Sequence, residues 1–247
     1  MDANNAHDLL VRSLQTHSRL GKQDIREITG LPHEVQEFQP GEDFIHQGEA
    51  PKVAALVISG MVGRYHILGN GRRQYVSFHI AGDLPDVQAL FLREMDHSVC
   101  AMGTAIVAFV PHKTLMRAFT RRPSFAFAIW RETLIDAAIF REAITNNGAR
   151  SNVAGMAHLF CELFYRAREA GLNDGMTWEF PVNLTQLGET LAMAIATVHR
   201  TLRELRATRT VDLQVGKLVI KDWTRLVKIG EFDPGYLHTR DPLNAAS

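Results

Sequence analysis

The chain has 247 residues with 27 acidic and 27 basic side chains, a length that suits one large or two ordinary domains, each able to bury a core. Overall neutrality excludes a protein that coats nucleic acid over its whole surface but leaves room for a local basic patch. Two distant cysteines, Cys100 and Cys161, exclude a disulfide framework and point to a reducing cytoplasm, and neither a signal-peptide core nor a bilayer-length apolar run is present.

Residues 1–32 read as a short helical lead-in that stops near Gly30-Leu31-Pro32. From Val35 to about Pro111, short apolar runs such as 54–59, 74–80 and 105–110 are punctuated by Pro40-Gly41, Gly48, Gly60, Gly69-Asn70-Gly71, Gly82 and Gly103. Turns at this spacing predict an antiparallel sandwich or jelly roll. Residues 124–146 contain neither Gly nor Pro and predict a helix of about six turns. Its apolar side chains, among them Ile129, Trp130, Leu134, Ile135 and Ala138, cover more than one face. A second copy of the chain would cover the surplus, making this a dimerisation helix; a helix sandwiched between two domains would also satisfy it. Asn146-Asn147-Gly148 is the expected helix end and hinge, and residues 153–170 form the next helix.

Residues 183–206 read as two helices joined by a tight turn. Asn183 is a plausible N-cap, Leu184, Leu187 and Leu191 repeat at helical spacing, and Ala192-Met193-Ala194 makes the turn. Ile195, Val198, Leu202 and Leu205 form a second apolar stripe, with Thr197, His199, Arg200, Arg203 and Arg206 on the other faces. Such a helix suits the major groove of DNA. Val211-Asp212-Leu213-Gln214-Val215 and Leu218-Val219-Ile220 then alternate around Gly216-Lys217, predicting a hairpin that makes the motif winged. Residues 199–228 hold eight basic and three acidic side chains, a local excess on a neutral chain. A short helix over 223–229 closes the module. The fold class is α+β: an antiparallel β jelly roll within 1–122, a long dimerisation helix and hinge within 123–150, and a winged helix-turn-helix within 151–247.

This order resembles the Crp/Fnr superfamily of bacterial transcription regulators over about residues 34–240. The resemblance is carried by Pro40-Gly41-Glu42, Gly48-Glu49, Ile58-Ser59-Gly60, Gly82-Asp83 and Thr197-Val198-His199-Arg200-Thr201-Leu202. The tail, Asp222-Trp223 and Phe232-Asp233-Pro234-Gly235-Tyr236-Leu237-His238, resembles an alphaproteobacterial branch. The resemblance implies a homodimer that binds palindromic double-stranded operator DNA and acts on RNA polymerase. It places Arg200 where guanine is read, with Ile195, Ala196 and Thr197 beside it, and Asn183, Thr185, His199 and Arg203 at phosphates; Lys217 of the wing joins these. Ile195 and Ala196 replace an Arg and a Glu common in the family, which implies a different operator. Ala192 stands for the usual turn glycine, and Ala194 for the usual serine cap.

The same resemblance puts a degenerate ligand pocket at Gly82, Asp83, Asp86, Val87, His97, Ser98, Phe140 and Arg141. Asp86-Val87 replaces the Gly-Glu pair and His97-Ser98 the Arg-Ser pair of cyclic-nucleotide binders, while Phe140-Arg141 replaces the adenine-contacting pair on the long helix. Cyclic AMP is therefore not the expected effector, whose identity stays open. No cofactor is expected: two cysteines are too few for an iron–sulfur cluster, and the roll histidines His46, His66, His79, His97 and His112 lack metal-ligand spacing, which disfavours haem. Both cysteines read as inert buried thiols. No catalytic motif occurs, and the i,i+4 pair Glu132 and Asp136 reads as solvated helix-face charge. A ligand-binding module without DNA binding is the rival reading, kept open by the changes at 192 and 194–196.

Overall fold

A computed structural model describes residues 4–240; the outermost residues of the expected first and third segments lie outside that range. The chain packs as two compact units. One runs to His66 and adds Phe78–Ala137, and the other joins Ile67–Ser77 to the residues from Ala138 onward.

The first unit begins with α1 (Asn4–His17) and α2 (Lys22–Thr29). The roll follows as β1 (Glu34–Phe38), β2 (Asp43–Ile45), β3 (Val53–Ser59), β4 (Met61–Ile67), β5 (Arg73–Ile80), β6 (Ser98–Ala101) and β7 (Ala105–Pro111). Two sheets form, with orders β1-β7-β3 and β2-β6-β4-β5. The pairs β1–β7, β3–β7, β2–β6 and β4–β6 are antiparallel. Side chains alternate across a strand, and on β3 both sets are buried. Ala55 and Val57 meet Phe38, Val62, Val99 and Val107 inside the roll. Leu56 and Ile58 face a second cluster with Leu10 and Leu14 of α1. That double burial explains the unbroken apolar run in the sequence. Gly60 turns β3 into β4 with φ of +79°, and a Cβ there would lie 2.4 Å from the Thr104 carbonyl oxygen.

A helix that the sequence reading passed over, α3 (His112–Arg121), follows β7. Its signal was present, since Leu115, Ala118 and Phe119 stand at helical spacing and are buried. The long helix α4 (Pro123–Ala149) starts on a proline, which suits the first helical position. It does not stop at Asn146-Asn147-Gly148 as expected. Asn146 is buried and its Nδ2 donates to the Gly155 carbonyl at 3.0 Å; Asn147 Nδ2 donates to the Thr190 carbonyl at 3.1 Å. With these partners supplied by the fold, the helix continues to Ala149, and the break falls at Arg150-Ser151. Ser151 then caps α5 (Asn152–Glu169), its Oγ accepting the Ala154 amide at 3.2 Å.

In the second unit α5 is buried nearly all round. Around it lie β8 (Thr177–Glu179), α6 (Leu184–Thr190), α7 (Ile195–Ala207), β9 (Val211–Gln214), β10 (Lys217–Ile220) and α8 (Trp223–Gly230). The sheet order is β8-β10-β9, with the three-residue β8 too short to announce itself in the sequence. Lys217 pairs with Gln214, so the wing turns on Val215-Gly216 rather than on Gly216-Lys217. Gly230 lets α8 approach α5, since a Cβ there would lie 2.7 Å from the His158 amide nitrogen. The tail docks on the same helix: Tyr236 donates its hydroxyl to Glu162 at 2.8 Å, and Phe232 packs edge-on to His158.

Candidate DNA interface and the interior of the roll

Asn183 caps α6 in a reciprocal box. Its side-chain oxygen accepts the Gln186 amide at 2.9 Å, and Gln186 Oε1 accepts the Asn183 amide at 2.9 Å. α6 and α7 meet at Gly188, a residue the sequence reading did not single out. A Cβ there would sit 2.7 Å from the Met193 carbonyl oxygen and 3.3 Å from a Val198 methyl. The turn itself is not ideal: Ala192 holds φ of +54°, a conformation that suits glycine, and Ala194 gives α7 no side-chain cap.

α7 buries Val198, Thr201, Leu202 and Leu205 and leaves Ala196, His199, Arg200 and Arg203 exposed. Ile195 departs from the stripe expected to be buried, being 48% exposed; Thr197 is half-buried, and Asn183, Thr185 and Lys217 are exposed. Among the described residues Arg200 forms one loose ion pair, with Glu204 at 3.9 Å and between two exposed side chains, which leaves it available. Arg206 does not stay on this face: its Nε meets Asp212 at 2.8 Å and a second nitrogen donates to the Leu213 carbonyl, pinning α7 to the wing.

Inside the roll, Gly82 holds φ of +98° against Ser13, and Asp83 accepts the Ile80 amide at 2.9 Å. Asp86 is buried and accepts the Ala55 amide at 2.8 Å. Burial pushes its carboxyl up to about 7, against the opposing pull of that amide and of Arg64. Val87 is buried in the apolar cluster that includes α1. Ser98 accepts the Gln47 amide at 3.0 Å. His97 is buried, with Nδ1 2.8 Å from Asp96 and Nε2 without a hydrogen-bond partner among the described residues. Burial first, and then the charge of Arg64, hold its imidazole below the ordinary histidine range. Phe140 is half-buried and Arg141 exposed.

Arg64 carries no signal in the sequence that marks it as functional. It sits on β4, 2% exposed, donating Nε to the Pro85 carbonyl at 2.6 Å and Nη1 to Asp136 of α4. Asp136 and Glu132 are therefore not free surface charges. Glu132 lies 3.0 Å from His17 Nδ1 of α1. Both cysteines are buried, and burial pushes the Cys161 thiol up. Among the described residues no His, Cys, Asp and Glu cluster has the arrangement of a metal site, and no helix is long and apolar enough to cross a membrane.

α4 leaves several large apolar side chains exposed. Phe127 is 63%, Trp130 59% and Leu134 53% exposed, and Ile144 further along is 73%. Ile129, Ile135 and Ala138, expected on the same seam, are buried. A groove of about 480 Å³ runs beside Phe127 and Trp130, walled by Val87, Phe91, Leu92 and Phe119.

Two family models match the chain: the "Cyclic nucleotide-binding domain" over residues 35–122 and the "Crp-like helix-turn-helix domain" over 156–229. The "Nitrogen fixation regulation protein FixK" of Bradyrhizobium diazoefficiens is 24% identical over 220 residues, covering 89% of this chain and 91% of the relative. Its namesake in Rhizobium meliloti is 26% identical, over 74% and 83%. The structure of FixK2 from Bradyrhizobium japonicum superposes with a TM-score of 0.70 over 81% of this chain and 98% of that one, at 19% identity. With a cyclic-nucleotide-binding-type roll, a long helix and a Crp-like helix-turn-helix in this order, the chain belongs to the Crp/Fnr superfamily and is a DNA-binding transcription regulator.

Proposed function

We propose that the protein acts in the cytoplasm as a homodimer that binds operator DNA without cyclic AMP and acts on RNA polymerase there. The observation that carries the DNA-reading half is the exposed face of α7, where Ile195, Ala196, His199 and Arg203 accompany Arg200, whose guanidinium has no tight ion pair among the described residues. Arginine's planar fork matches O6 and N7 of guanine, and Arg200 is assigned that role. Ile195, Ala196 and Thr197 lie beside it, where aliphatic groups suit a thymine methyl and cannot accept a bond from cytosine N4. Asn183, Thr185, His199, Arg203 and Lys217 are assigned to phosphates.

The dimer half rests on the exposed face of α4. Phe127, Trp130, Leu134, Ala137, Arg141 and Ile144 recur at alternating spacings of three and four, the pattern of a coiled-coil seam. This narrows the seam to Trp130 and Leu134 among the residues first assigned to it. The absence of cyclic AMP control rests on Asp86, which buries a carboxyl where a phosphate would need a cation and open amides. Segments 1–122, 123–150 and 151–247 are assigned as sensor roll, dimer helix with hinge, and DNA-binding domain. Selection of bound sites from a random DNA pool, with purified protein and no nucleotide, tests the reading. Enrichment of a two-fold symmetric site with a fixed guanine in each half is expected; no enrichment at low salt would refute it.

A further inference from the structure

Of the features outside the DNA-reading face, the buried ion pair in the roll goes furthest. Arg64 lies in the middle of β4 with a side chain closed off from water. It donates to Pro85 in the segment before Asp86 and to Asp136 on α4. A guanidinium removed from water needs partners in fixed positions, because its charge cannot be neutralised by losing a proton. Here those partners lie in two other elements, so satisfying Arg64 joins β4, the 82–90 segment and the long helix. The family resemblance puts a bound nucleotide against the 82–87 segment and the long helix, and in this chain an internal cation reaches both. Asp86, closed in and bonded to the Ala55 amide, and His97, bonded to Asp96, both lie close enough to feel the Arg64 charge.

We propose that Arg64 is a built-in substitute for an effector: its bonds to Pro85 and Asp136 tie the roll to α4 and hold the protein in its DNA-binding form with the pocket empty of any ligand. The inference rests on the reading of the chain as a DNA binder that needs no cyclic AMP. It also explains why β4 carries a charge inside an apolar roll, which costs stability unless the position is used.

The experiment compares full-length wild type with Arg64→Met and Asp136→Asn, purified without nucleotide. Asp136→Asn removes the charge of the partly exposed member of the pair and keeps an oxygen that can accept from Arg64, and circular dichroism checks the fold of both variants before they are compared. Operator affinity and hydrogen exchange are both read. Expected are tight operator binding by wild type, a loss of about tenfold or more in each folded variant, and faster exchange at 82–90 and in the α4 turns around Asp136. Folded variants that bind operator as tightly as wild type, or that exchange at wild-type rates in those segments, would overturn the proposal. If wild type itself binds no DNA, the DNA-binding reading fails instead. The exchange comparison then still decides whether the tether holds the helix.

Discussion

Single side chains in this protein differ most in whether water reaches them. Asp86 is 1% exposed, and burial raises its carboxyl from 3.8 to about 7. The folded state then binds the proton more tightly than the unfolded chain, so this group's contribution is fully present below about pH 4. It falls as pH rises, and is lost by about pH 7. At about 1.4 kcal/mol per unit the swing is about 4 kcal/mol. Asp86→Asn keeps the acceptor for the Ala55 amide without the charge. Denaturant unfolding of the roll should find the variant more stable than wild type at pH 8, with the difference shrinking toward pH 4. A difference independent of pH would mean that Asp86 stays ionised beside Arg64. Arg200 and Arg203 stand at the opposite extreme, exposed on α7. Arg200→Ala should cost about 1–3 kcal/mol on the best site and relax preference at one base pair. Arg203→Ala should weaken all sequences alike and lower the salt slope by about one. Equal weakening of specific and random DNA by Arg200→Ala would remove it from base reading.

At the level of elements, the helix-turn-helix is held by good packing and poor local geometry. Gly188 permits close contact of α6 with α7, and Val198, Leu202 and Leu205 are buried beneath the exposed face. Against that, Ala192 sits in the left-handed region and Ala194 offers no cap, although its backbone (φ −65°, ψ 148°) already has the extended form that a cap requires. Ala194→Ser should stabilise the module by about 1 kcal/mol. Ala192→Gly should add about 0.5–1 kcal/mol by removing the strain of a Cβ at positive φ. Thermal unfolding reads both; a destabilised Ala192→Gly would mean that chain entropy outweighs that strain. In α4 the exposed stripe and the buried face divide the apolar side chains. Trp130→Glu with Leu134→Glu should therefore turn a dimer into a folded monomer. Light scattering of the wild type at micromolar concentration should give twice the chain mass. A monomeric wild type that binds operator fully would sink the seam.

For the molecule as a whole, the order of elements was legible because its signals are local. The Asn183 cap, the stripe from Val198 to Leu205 and the glycines of the roll each act within a few residues, and the structure has them where the periodicity placed them. The wing turn moved by one residue within its own hairpin, where Lys217 pairs with Gln214, while the helix end expected at Asn146–Gly148 moved because Asn146 and Asn147 meet partners further along the chain. The interior of the roll was not legible for the same reason. Asp136 and Glu132 looked like surface carboxylates, yet Asp136 meets Arg64 from 72 positions away and Glu132 meets His17 from 115. No window of sequence contains both members of such a pair. The sequence by itself determined the succession of β roll, long helix and winged helix-turn-helix, since hydrophobic period and turn chemistry are properties of neighbouring residues. Only the tertiary structure decided which face of α4 is left uncovered, that Asp86 is shut away from water, and that a buried arginine spans the roll and the helix, because burial and ion pairing depend on where the folded chain brings distant residues together.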